Sequence, residues 1–191
     1  LGRNDCGSPL KDIKIKTDQH GLLHIKTTRL AIGKLKGSRI EPLADKSGWW
    51  KSSDIAKLTK KNNLLTLEIK GRIDNAIISG GETIFPEILE MRLLKQVRST
   101  RIPLKYVLFL PLEDNEWGQK MIALIRIDKN IDNKVSDIFI KLKQLVQNWS
   151  SFEKPKAWYE CPGLTPNSID KWERSKWEEW LKDYLSNADK A

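Results

Sequence analysis

The sequence predicts an α+β chain: a β-rich first portion, a break near residues 71–74, and a compact second portion in which strands and helices alternate. Three observations predict it. Short runs before residue 70 alternate apolar and polar with period two. Apolar residues after Pro86 recur with a helical period. Between the helical stretches lie two continuous apolar runs of strand length.

The elements follow in order. Ile13 and Ile15 alternate with Lys14 and Lys16, then Leu23 and Ile25 with His24 and Lys26, and Gly21 punctuates these two expected strands. Gly33, Gly37 and Pro42 mark a loop. Asn62-Asn63 is a turn signal that introduces a strand over Leu64–Ile69. Pro86 suits the first turn of a helix whose apolar residues are Ile88, Leu89, Met91 and Leu93. Tyr106–Leu112 and Met121–Ile127 are apolar and suit strands. Val135–Val146 is helical in period through Ile138, Leu142 and Leu145, and Lys154-Pro155 ends that unit. Cys161–Asn167 is a loop rich in Pro, Gly and Asn. A last helix over about Lys171–Leu185 carries Trp177, Trp180, Leu181, Tyr184 and Leu185 on one face, a stripe expected to be core rather than a platform for stacking bases.

Composition bounds the function classes. At 39% hydrophobic residues the 191-residue chain can bury a core, which excludes global disorder. The net charge of +9 draws anionic partners, whether nucleic acid, acidic lipid or a phosphate-rich small molecule. The lysines are scattered rather than clustered, which argues against nucleic acid as partner. The two cysteines, Cys6 and Cys161, form no C-x-x-C pair, so a zinc ribbon has no support and a reducing, cytoplasmic setting is expected. No run approaches the roughly 18 apolar residues of a membrane span. The polar start, with Leu1 in place of Met, lacks a secretory signal and suggests a trimmed chain. His20 and His24 have no partner pattern and are assigned no chemistry, and no metal-ligand set is read.

The most specific segment runs from Gly71-Arg72-Ile73-Asp74 through Ile77-Ile78-Ser79-Gly80-Gly81-Glu82-Thr83-Ile84-Phe85-Pro86 to Glu90. Physically, Gly80-Gly81 after an apolar run is a tight turn where backbone approaches a ligand closely. The segment resembles a signature of the adenylate-forming acyl-CoA synthetases and luciferases, G-R-x-D-x-x-I-x-x-G-G-E-x-I-x-P-x-x-x-E. Three further segments fall in the family's order. Gly48-Trp49-Trp50-Lys51-Ser52-Ser53-Asp54 resembles G-W-F-x-T-G-D, and Asp114-Asn115-Glu116-Trp117-Gly118-Gln119 resembles D-x-x-W-G-x. Pro162–Arg174 resembles the loop that carries the family's C-terminal catalytic lysine. The chain departs from the pattern at Ser53 and Asp170, each in place of a glycine, and at Ile88, in place of the first glutamate of P-x-E-x-E.

The resemblance implies a division and a set of roles. Residues 1–71 become the C-terminal β-rich part of a large adenylation domain. Residues 72–191 become a lid domain with a small antiparallel sheet packed by helices. Gly2–Leu10 resembles the stretch that follows the family's AMP-contacting Y-G-x-T-E segment. That segment and the S-G-T-T-G-x-P-K phosphate loop do not occur in this sequence. A fragment is therefore expected, with its large domain upstream, magnesium ligands in that domain, and no activity alone.

Asp54 would accept hydrogen bonds from the ribose hydroxyls, with Arg72 as a nearby donor. Asp74 takes the hinge position, Ser79, Gly80 and Gly81 line a pantetheine channel, and Lys171 stabilises the charge of the adenylating transition state. The implied ligands are ATP, CoA, Mg²⁺ and a small-molecule carboxylate. The tryptophan-rich run Lys171–Leu181 is similar to the ending of bacterial o-succinylbenzoate–CoA ligases of the menaquinone and phylloquinone pathway. The alternatives are a ligase of another acid, or a stand-alone basic nucleic-acid-binding or interaction domain.

Overall fold

A computed structural model describes residues 6–128 and 134–188. Residues 2–5 of the opening stretch lie outside the described residues. The chain divides into two compact units, residues 1–75 and 76–191.

The first unit is all β. Strands β1 (Lys14–Thr17), β2 (Leu22–Lys26), β5 (Trp50–Lys61) and β6 (Leu64–Arg72) form one antiparallel sheet in the order β1-β2-β5-β6. Asn62 and Asn63 both hold left-handed backbone, with φ of 50° and 60°. Two consecutive positive φ values make the turn whose twist matches paired strands, so β5 returns directly as β6. The expected loop over Gly33–Pro42 is instead a hairpin, β3 (Gly33–Lys36) with β4 (Arg39–Pro42), in which Leu35 faces Ile40. Gly33 lies where a Cβ would fall 2.2 Å from the Glu41 carbonyl oxygen, so the glycine read as a loop marker is a point of close strand contact. Leu23 and Ala56 are the buried hydrophobic residues of this unit among those described.

The second unit is a sheet covered on both faces. β7 (Ile77–Ser79) and β8 (Glu82–Ile84) form a hairpin; β9 (Leu104–Asp114) and β10 (Gly118–Ile127) form a longer one. These pairs are antiparallel, as expected, and β11 (Ala157–Glu160) adds to β10 in parallel. Alternate residues of β9 and β10 point to opposite faces. Val107, Phe109, Met121, Ala123 and Ile125 pack with α1 (Pro86–Val97) and α2 (Val135–Leu145). Leu108, Leu110, Ile122 and Leu124 pack on the other face with Cys161, Leu164, and Trp177 and Leu181 of α3 (Arg174–Ala188). Burial on both faces explains why these strands read as unbroken apolar runs. Each such Leu, Ile or Phe contributes about 1.5–3 kcal/mol when removed from water.

Two helix readings need correction. The buried face of α1 is Leu89, Glu90, Leu93 and Val97, whereas Met91 is 64% exposed. One full turn from Leu89 leads to Leu93, and Met91 lies on the opposite side. The last helix begins at Arg174 rather than Lys171, because Asp170 takes a positive φ of 55° and residues 171–173 follow irregularly. Trp177 and Leu181 are buried, and Trp180 stacks on the more exposed Tyr184 at 5.1 Å.

Candidate active site

In the first unit, the pairing of β5 with β6 and the turn that follows β6 bring three predicted residues together. Asp54 of β5 lies directly across from Arg72 of β6. The Arg72 guanidinium sits 3.6 Å from the Asp54 carboxylate and donates to Asp74 at 2.7 Å. Asp74 stands in a 3-10 turn over Ile73–Asn75 that ends β6. The Ser53 hydroxyl and the Arg72 guanidinium beside Asp74 hold its carboxyl below the usual carboxylate range. Thus Ser53, standing where the family pattern has glycine, stabilises the ionised form of a neighbouring acid. The Asp54 side chain is less exposed than the half-exposed Arg72 and Asp74. Exposed ion pairs of this kind are worth at most about 1 kcal/mol, so a ligand that offers better partners can rearrange them. The corner presents carboxylate acceptors and a guanidinium donor side by side, which suits a vicinal diol. A separate cleft of about 480 Å³ in this unit, lined by His24, Asp45, Trp49 and Trp50 among others, includes none of the predicted residues.

In the second unit, Ser79, Gly80 and Gly81 form the turn between β7 and β8. Gly80 and Gly81 have φ of 58° and 85°, values that side-chain-bearing residues rarely adopt. Ser79 is buried and lies opposite Gly118 of β10. The two turns of the D-x-x-W-G-x and G-G segments lock together: the Gly80 N–H donates to the Trp117 carbonyl at 2.9 Å, and the Ile78 N–H donates to Gln119 Oε1 at 3.0 Å. The Trp117 ring lies over Gly80, where a Cβ would meet Cε3 at 2.5 Å. Around Gly81 a Cβ would meet nothing within 4 Å. Asp114 shapes the facing turn by accepting from the Trp117 and Glu116 N–H groups. Those N–H groups, joined by Lys120, hold its carboxyl below the usual range.

Lys171 stands in the loop between β11 and α3. Asn167 Oδ1 accepts from the N–H groups of Ile169 and Lys171, and the Asn167 N–H donates to the Lys171 carbonyl at 2.9 Å. This closes a small hydrogen-bonded loop whose tightest residue is Asp170, in the left-handed region where glycine is at ease and Asp is tolerated. Asp170 and Lys171 are both exposed, and among the described residues the Lys171 ammonium makes no ion pair, with Asp170 or otherwise. Trp172 meets Tyr106 edge-on at 5.7 Å.

One feature was invisible in the sequence. Glu90 and Arg174, which entered the reading only as letters of two motifs, form a buried pair with both Glu90 oxygens 2.9 Å from Arg174 Nη2. Between them lies one peptide unit of β9. The Phe109 N–H donates to Glu90 at 2.8 Å, and Arg174 Nη1 donates to the Phe109 carbonyl at 2.7 Å. Burial pushes the Glu90 carboxyl up, and the adjacent guanidinium opposes that push. A separation of 84 residues and no local signal hid this contact.

Among the described residues, no group of three or more His, Cys, Asp or Glu side chains is placed to hold a metal ion. No described helix is long and apolar enough to cross a membrane.

No family model matches the chain. A curated relative named 2-succinylbenzoate–CoA ligase, from Salmonella typhimurium, is 25% identical over 189 residues, covering 97% of this chain and 38% of the relative. Other curated relatives of that name reach 29% identity. The structure of wild-type Escherichia coli MenE with a bound analogue of OSB-AMS matches with a TM-score of 0.63 at 25% identity, over 95% of this chain and 36% of that one. The o-succinylbenzoate CoA synthetase from Bacillus subtilis, solved in complex with the acyl-adenylate intermediate OSB-AMP, shares the fold with a TM-score of 0.68 at 21% identity, over 90% of this chain and 35% of that one. The chain thus spans less than two fifths of the length of these relatives. Nearly all of it is similar to a C-terminal portion of adenylate-forming acyl-CoA synthetases, and in particular to relatives named 2-succinylbenzoate–CoA ligase.

Proposed function

We propose that the chain is the C-terminal part of an ATP-dependent acid–CoA ligase, acting on 2-succinylbenzoate in menaquinone or phylloquinone synthesis in the cytoplasm. The observation that carries this reading is similarity over 97% of the chain to a relative with that named activity. Residues 1–71 close a large adenylation domain, and the thin set of buried hydrophobic residues in the first unit supports their packing within something larger. Residues 72–191 are the lid. The division of the chain between Asn75 and Ala76, one residue past Asp74, supports Asp74 as the hinge.

The reaction has two steps. A carboxylate oxygen of the acid attacks the α-phosphorus of ATP, the bond from that phosphorus to the bridging oxygen breaks, and pyrophosphate leaves. The CoA thiol then attacks the acyl carbonyl and AMP leaves. Asp54 and Arg72 hold the ribose hydroxyls. Lys171 places an ammonium between carboxylate and α-phosphate, where negative charge crowds; its lack of an ion-pair partner among the described residues supports that use. Ser79, Gly80 and Gly81 border the path of the pantetheine arm. Magnesium, held by the upstream domain, supplies charge neutralisation on the phosphates.

The test uses the ligase carrying this chain behind its large domain, with ATP, magnesium, CoA and a panel of acids, and acyl-CoA is detected by mass. The expected product is 2-succinylbenzoyl-CoA, with Lys171→Ala slowing adenylate formation by about 10²–10³. Product from a different acid alone would replace the substrate. Product undiminished in Lys171→Ala would remove the lysine from the mechanism.

A further inference from the structure

Lys171 must be held to within a fraction of an ångström to act on a transition state, yet it stands in an irregular loop with an exposed side chain. Its backbone is tied on one side by the Asn167 ring of hydrogen bonds. On the other side, three residues on, Arg174 opens α3 and is clamped to the middle of β9. The clamp is unusual in kind. Glu90 and Arg174 together take up both the N–H and the carbonyl of Phe109, the hydrogen bonds that a neighbouring strand would make. Phe109 is itself fully buried, its ring edge-on to Trp149 and Trp158 at 6.4 Å. Arg174 therefore ties the loop beside it to the buried middle of β9, and Glu90, with Glu87 3.8 Å from Nε, fixes the direction in which the guanidinium points.

We propose that Glu90, through its buried pair with Arg174 and the Phe109 peptide, is the positioning residue that sets Lys171 for the adenylating step. This rests on the role proposed above for Lys171. Glu90 touches no substrate in this scheme and acts wholly through the start of α3. A carboxylate is needed because only two equivalent acceptor oxygens can receive Nη2 while one of them also receives the Phe109 N–H.

Two measurements test it. The first needs no activity. In the 191-residue chain, hydrogen exchange is compared between wild type, Glu90→Gln and Arg174→Lys. The expected result is exchange at the Ile169 and Lys171 amides faster by tenfold or more, with the β10 amides Ile122–Ile125 unchanged. Unchanged loop exchange in both variants overturns the proposal. Acceleration throughout β10 in both marks a merely structural pair and overturns it too.

The second is a double-mutant cycle in the complete ligase, followed as pyrophosphate release from ATP and 2-succinylbenzoate. Glu90→Gln is expected to slow adenylation about 10–100-fold on kcat with little change in KM. It is expected to have no further effect in a Lys171→Ala background, and none on attack of CoA on acyl-adenylate supplied directly. Additive losses overturn the coupling while leaving Lys171 in place. A Lys171→Ala enzyme that adenylates normally removes instead the role on which the proposal stands.

Discussion

Replacing Gly80 with alanine puts two separable loads on the β7–β8 turn. The first is conformational: at φ 58° a Cβ costs about 1–2 kcal/mol. The second is steric, since that Cβ would stand 2.5 Å from Cε3 of Trp117, well inside van der Waals contact. The ring is 50% exposed, so it can swing away, and the low end of an overpacking penalty, about 1 kcal/mol, applies. Gly81→Ala, at φ 85°, carries only a conformational load, because the space around it is open. Gly80→Ala is therefore expected to cost about 2–3 kcal/mol and Gly81→Ala about 1–2. The gap of about 1 kcal/mol should close in a Trp117→Ala background. Urea-dependent hydrogen exchange at the buried β10 amides reads the stability of the second unit directly. Equal costs for the two glycines, or a gap that persists without Trp117, would refute the reasoning.

Two further outcomes follow from burial and charge. Leu93→Ala, at a fully buried site of α1, should cost about 2–5 kcal/mol by urea unfolding, whereas Met91→Ala should stay within about 0.5 kcal/mol. The Asp114 carboxyl is held below its ordinary value by the Trp117 and Glu116 N–H groups and Lys120. A depressed carboxylate stabilises the fold above the ordinary aspartate value of about 3.9, and that contribution is lost as pH falls through the lower folded value. Asp114→Asn should accordingly melt at a lower temperature than wild type near neutral pH, with the two melting curves converging in acid; a constant difference down to acid pH would contradict this.

The second unit was legible where a single residue type carries a local physical demand. Pro86 opens α1, Gly80-Gly81 turn the short hairpin, and the apolar runs of β9 and β10 advertise burial on both faces. Strand β5 was missed because its buried positions are filled by Ser52 and Ala56 rather than by large apolar residues, so no alternation shows. β11 is four residues long, and its sole buried side chain is Trp158. The β3–β4 hairpin exposes Leu35 and Ile40, so neither strand has an inner face to give a pattern. At the candidate site, individual roles came from motif resemblance, whereas the pairing of Arg72 with Asp54 came from strand register and that with Asp74 from the turn that follows β6. Glu90 and Arg174 meet only once three elements have packed, a juxtaposition to which no spacing rule applies.

The clamp on Phe109 has a consequence outside catalysis. β9 pairs with β10 on one side only, and a bare strand margin invites another chain to zip onto it. Here the middle of that margin is already saturated by Glu90 and Arg174, and two residues on stands Pro111, which has no N–H to offer. An intruding strand would have to evict a desolvated ion pair to gain two hydrogen bonds and would then meet a missing donor. The β9 margin of the second unit is thereby guarded against strand addition by another chain.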